Sequence, residues 1–151
     1  MKPLLVLTAV FCLLVVAIRI RYGLYEFALA GRIAMSAMLV FSAIGHFAFT
    51  RGMSLMVPGF IPFKTEIVYL TGIIEILFAV GLFIPDYRIF TAWALIIFLV
   101  LMLPANIYAS IKRVDYEKGT YDGNGVSYLW FRIPLQILFI AWTYLSAIQY
   151  G

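Results

Sequence analysis

A chain of 151 residues that is 65% hydrophobic and only 12% charged carries about half the charge of a soluble domain, which excludes that class and points to an integral membrane protein. The net charge of +4 is scattered over short polar flanks, as topology signals and anionic headgroups require, so no nucleic-acid partner is implied. One cysteine, Cys12, excludes an internal disulfide or a CxxC pair, and one histidine, His46, excludes bis-histidine haem and the usual metal ligand sets. Neither a metal nor a resident cofactor is therefore expected in the single chain.

The first spanning helix is predicted over 3–21. Its flank of Arg19, Arg21, Tyr22 and Gly23 reads as an interfacial anchor and turn, unlike a signal-peptide cleavage region. A second helix is predicted over 25–50, with Arg32 near its start and His46 near its end. Gly31, Ala34, Ala37, Ser42 and Gly45 permit close approach of a neighbouring helix. Residues 51–63 are apolar yet broken by Pro58, Gly59 and Pro62, which predicts an interfacial or re-entrant cap.

The third long helix, 65–84, holds the carboxylate of Glu75 at the middle of an apolar run of bilayer length. A charge there costs about 2.5–3.5 kcal/mol unless it is paired, hydrated or neutralised. Pro85 and Asp86 make a short turn that sets the fourth helix, 87–112, antiparallel to the third. Within it Pro104 leaves the carbonyl of Val100 without its helical donor, and Asn106 adds a side-chain amide. Residues 113–126 are the one hydrophilic stretch, a solvent loop whose Asp-Gly-Asn-Gly is turn chemistry, since a calcium loop needs more oxygens and a closing glutamate. In the last helix, 127–149, Arg132 and Gln136 are four apart and share a face.

The expected fold is a single transmembrane domain over 1–151: an all-α integral membrane protein, an antiparallel bundle of about five transmembrane helices built as a four-helix core plus the N-terminal helix. Lys2, Arg51, Lys64, Lys112, Arg113 and Lys118 fall on one side, against Arg19, Arg21 and Arg88 on the other. That bias predicts a multi-pass cell-membrane protein with a cytoplasmic amino terminus and its carboxyl terminus outside. At 1.5 Å per residue, His46 lies about 5 Å from the cytoplasmic side, Asn106 and Arg132 about 6–9 Å, and Glu75 and Gln136 about 12–16 Å. These side chains from four helices share one half of the membrane, so Glu75 and Arg132 are the expected ion pair, with Gln136 and Asn106 meeting the spare donors and acceptors. The expected cavity opens to the cytoplasm, is roofed by 53–62, and is lined by Tyr108 and Trp130. Arg32 stands alone in the other half and snorkels.

The ordered stretches IGHF at 44–47, MVPGFIP at 56–62, TGIIEILFAVGLFIP at 71–85, PANIYA at 104–109 and YLWFRIPLQILFIAW at 128–142 resemble the DoxX-like family of small integral membrane proteins. The resemblance covers nearly everything after the first helix. It implies a small helical bundle related to subunits of quinone-linked sulfur oxidation and found with membrane oxidoreductase systems. Relatives that handle thiols through paired cysteines differ from this chain, which has only Cys12.

Three readings stay open. In the first, His46, Glu75, Asn106, Tyr108, Arg132 and Gln136 bind a lipophilic small molecule such as a quinone or membrane lipid, and the chain is a non-catalytic partner of an oxidoreductase or of a second copy of itself. In the second, His46 and Glu75 are acid–base catalytic candidates acting on a lipid or isoprenoid. In the third, the chain is a scaffold or assembly factor and the polar groups only pin helices together.

Overall fold

The computed structural model describes residues 2–150. Each long apolar run is helical, the form in which a segment satisfies its own N–H and C=O groups. The helices are α1 (Lys2–Tyr22), α2 (Phe27–Ala48), α3 (Thr50–Ser54), α4 (Lys64–Gly81), α5 (Arg88–Ile111) and α6 (Leu129–Thr143). A 3₁₀ turn, Val126–Tyr128, precedes α6 and a π-helical turn, Tyr144–Gln149, continues it. Among the described residues, four helices are long and apolar enough to cross a membrane: α1, α2, α5 and the continuous run Val126–Gln149. The fifth, α4, has 18 residues and carries Lys64, Glu66 and Glu75.

Chain punctuation explains where the helices stop. Gly23 takes a left-handed φ of 70° and donates to the Arg19 carbonyl at 3.0 Å, ending α1. α4 stops at Gly81, short of the expected 84. There the N–H groups of Phe83 and Ile84 switch to 3₁₀-type bonds with Val80 and Gly81 ahead of Pro85, which has no N–H to give. α5 ends in a Schellman turn: Arg113 adopts φ 53°, Val114 donates to Ala109, and Arg113 donates to Ser110. Residues 51–63, expected as an irregular cap, instead begin within α3.

Packing centres on α2. Its Ser36 hydroxyl donates to the Ala79 carbonyl of α4 at 3.0 Å, and Trp142 Nε1 of α6 donates to its Gly31 carbonyl at 3.0 Å. Glycines set the spacing: a Cβ on Gly72 would lie 2.9 Å from the Cβ of His46, and one on Gly31 2.8 Å from the Cβ of Ser146. The core gathers Leu7, Met35, Leu39, Leu82, Leu95 and Phe139. Outward faces carry large exposed apolar side chains such as Leu13, Ile20, Leu77, Phe90 and Leu101, as a hydrocarbon-facing surface does.

One end of the bundle is closed by folded loop. Asp115 Oδ1 accepts from the N–H groups of Glu117 and Lys118, and Asp115 pairs with Thr120 in an isolated antiparallel bridge. Glu117 then reaches the ammonium of Lys2 at 2.8 Å, tying the start of α1 to this loop. α3 packs from the other side, with the ring of Phe49 edge-on to Tyr116 at 6.1 Å.

Candidate functional site

Glu75 sits on the stripe Val68, Thr71, Gly72, Glu75, Ala79 that α4 turns toward its neighbour, and it is 7% exposed. That neighbour is α2. Glu75 Oε1 accepts from the Ser42 hydroxyl at 3.2 Å, and Oε2 lies 3.4 Å from His46 Nδ1 with no hydrogen-bond donor of its own. His46 Nδ1 is also 3.0 Å from the Ser42 carbonyl, so this nitrogen carries the hydrogen in the neutral ring and Nε2 is left as the acceptor. Ser42 and His46 are four apart on one helix face, and the glycine at 72 brings α4 close enough for the carboxylate to reach both. Chemically, the trio is a buried carboxyl with one uncommitted oxygen facing the N–H of an imidazole whose free Nε2 is the basic nitrogen.

The expected Glu75–Arg132 ion pair is not formed, and neither Gln136 nor Asn106 meets Glu75. Gln136 Nε2 donates to the Leu99 carbonyl at 2.6 Å, one residue before the carbonyl that Pro104 deprives of its donor, so this amide serves the stretch of α5 one turn before Pro104. The Asn106 carbonyl accepts from Ser110, and Tyr108 lies 6.0 Å from the ammonium of Lys112. The physical reason is helix adjacency: α4 runs along α2 while α6 runs along α5, so groups at similar depth are separated sideways.

Arg132 lies at the capped end, half-buried, with its guanidinium 5.8 Å from the centre of the Tyr128 ring. It makes no ion pair among the described residues. It lines a half-open cavity of about 320 Å³ together with Lys2, Ser110, Asp115, Tyr116, Glu117 and Tyr128, with residues 114–117, 123 and 124 of the loop forming part of the wall. His46, Glu75, Asn106, Tyr108 and Gln136 do not line it, so the single five-residue pocket resolves into separate sites. Trp130, expected as lining, is 87% exposed, and the hydrophilic loop contributes to the wall where 53–62 was expected.

Two contributors escaped the sequence. Ser42 was readable as a partner of His46 from their four-residue spacing, whereas nothing in the loop composition singles out Tyr116. Burial and its hydrogen bond to Glu117 push the Tyr116 phenol up to about 12. Glu117 is held below the usual carboxylate range by Lys2 and then by Tyr116. With a raised pKa, Tyr116 stabilises the docked loop fully below the ordinary value of 10.0, and that contribution is lost as pH climbs through about 12. A difference titration at the phenolate absorbance band, wild type minus Tyr116→Phe, is expected to show a step near 12. A step near the ordinary tyrosine value contradicts the docking.

The model of one protein family, Domain of unknown function (DUF8561), matches residues 35–147. No curated protein and no solved structure matches the chain.

Proposed function

We propose that the chain, which belongs to the DUF8561 family, is a five-span membrane bundle that binds a lipophilic small molecule, a lipid or a quinone, with the ligand's polar head in the cavity beside Arg132. In this reading α4 is the fifth span, the capped end is cytoplasmic and the carboxyl terminus is outside. One observation carries it: a half-buried guanidinium without an ion pair stands on the wall of a 320 Å³ cavity whose two acids, Glu117 and Asp115, are paired with Lys2 and Lys118. A guanidinium withdrawn from water regains its hydrogen bonds from phosphate, carboxylate or carbonyl oxygens, and its fork suits any of them. Ile133, the residue after Arg132, and Ile137, one turn further along α6, are exposed and offer an apolar path for a tail. The accessory role beside a membrane oxidoreductase rests on the DoxX-like stretches, all of which fall within residues 35–147.

Native mass spectrometry of gently extracted protein is the test. Wild type is expected to carry an adduct of lipid or quinone mass. Arg132→Gln is expected to lower its occupancy by about 10- to 100-fold in affinity, the worth of a charge-assisted hydrogen bond. No adduct on wild type, or equal occupancy on both proteins, overturns the reading.

The 3.4 Å approach of His46 to Glu75 favours a second reading, acid–base chemistry on a lipid or isoprenoid. Its mark is His46-dependent incorporation of solvent deuterium into such a molecule by the purified protein. No incorporation above a His46→Ala control removes it.

A further inference from the structure

At the end of the bundle away from Arg132, two more guanidinium groups lack partners, and they do not depend on the reading above. Arg32 lies on α2, five residues after its first residue Phe27 and so about 7–8 Å along the axis. Arg88 is the first residue of α5. The two helices are fixed to each other through the end of α4. One turn beyond Arg32, Ser36 donates to the Ala79 carbonyl, and a Cβ on Gly81 would lie 2.6 Å from Thr91 Oγ1 of α5. Arg32 and Arg88 therefore stand at the same end of the bundle, on two helices that both pack on the end of α4, where the charge of one acts on the other. Arg32 Nη1 and Arg88 Nε are both buried without an acceptor. Among the described residues neither makes an ion pair, although Glu26 is near enough for its charge to be felt at Arg32.

Two like charges held together by a fixed helix junction, each with a sealed and unspent donor, are costly unless an anion joins them. A point acceptor meets one fork, whereas a tetrahedral oxyanion has oxygens enough for two. We propose that Arg32 and Arg88 form a binding site for a phosphate-class oxyanion, presented as a lipid headgroup or as the free ion. The snorkelling expected of Arg32 alone becomes, with Arg88 beside it, a two-armed clamp.

The test is thermal unfolding of the delipidated full chain in a neutral maltoside, alone, with phosphatidylglycerol, or with inorganic phosphate. At about hundred-fold excess over Kd the wild-type midpoint is expected to rise by roughly 5 °C or more. Arg32→Gln and Arg88→Gln should each lose most of that rise. Without ligand the signs invert: each variant is expected to melt at or above wild type, because one of two neighbouring like charges is gone. Arg32→Lys keeps the charge but not the fork, and is expected to retain part of the response. A rise with phosphatidylglycerol only identifies a headgroup site, and a rise with phosphate only identifies a site for the free ion. No rise on wild type with either, or the same rise on the glutamine variants, overturns the proposal. So does a loss of stability in both variants that is equal with and without ligand.

Discussion

Gly52→Ala is expected to lower the melting midpoint by about 10 °C and to release the 113–125 loop from the end of the bundle. A Cβ on Gly52 would lie 1.8 Å from the Tyr116 carbonyl oxygen and 2.6 Å from its carbon. Both atoms are backbone, so no rotamer relieves the clash and one of two segments must move. Overpacking of this kind costs about 1–3 kcal/mol, and the upper end applies where the obstacle cannot rotate away. The loop is the segment free to yield, since α3 follows α2 after the single residue Phe49. Its departure withdraws Tyr116 from Phe49 and strains the contact of Glu117 with Lys2. It also removes part of the wall of the cavity beside Arg132, so the bound adduct should be lost together with stability. Faster proteolysis within 113–125 in Gly52→Ala than in wild type is the companion measurement. A variant that melts within about 1 °C of wild type, with its loop equally protected, means that α3 and the loop do not touch.

The second large effect is expected at Glu75, where two substitutions separate volume from polarity. Glu75→Ala removes a side chain that fills the α2–α4 interface and leaves the Ser42 hydroxyl without its acceptor. Deleting a buried chain of this length costs about 2–5 kcal/mol, and an orphaned buried donor adds about 1–3 kcal/mol unless it turns back to its own helix. A total of about 3 kcal/mol or more is the expected loss in an unfolding titration. Glu75→Gln keeps the volume and one acceptor oxygen, enough for Ser42, and is expected to stay within about 1 kcal/mol of wild type. Equal losses in both variants contradict this, and show that the charge of Glu75 holds the helix pair where its shape does not. An unchanged Glu75→Ala denies the interface altogether.

Much of the architecture is legible in single residues. A run such as PLLVLTAVFCLLVV is long and apolar enough to cross a membrane, and a segment of that kind satisfies its backbone groups within its own helix. Pro85, Gly23 and the polar 113–126 stretch interrupt those runs where the chain turns. Glu75 announces itself because a carboxylate amid Ile, Leu and Phe demands an account. Arg132 and Gln136 announce themselves likewise, yet the partners assigned to them by depth are wrong.

Depth along a helix follows from counting residues, so the sequence determined which groups share a level and which helices are long and apolar enough to span. Direction around the bundle does not follow from counting. Whether Glu75 meets Arg132 or His46 depends on which helix lies beside α4 and on its rotation. Those are decided by Gly72 against His46 and by Ser36 against Ala79, contacts between residues that are 26 and 43 apart in the chain. Gln136 looked like a partner for a charge, and the tertiary structure set it instead on the Leu99 carbonyl of α5. Hydropathy is a property of one residue and its solvent, and the four long apolar helices express it. A hydrogen bond across helices is a property of two residues at once, and only the packed bundle chooses the second.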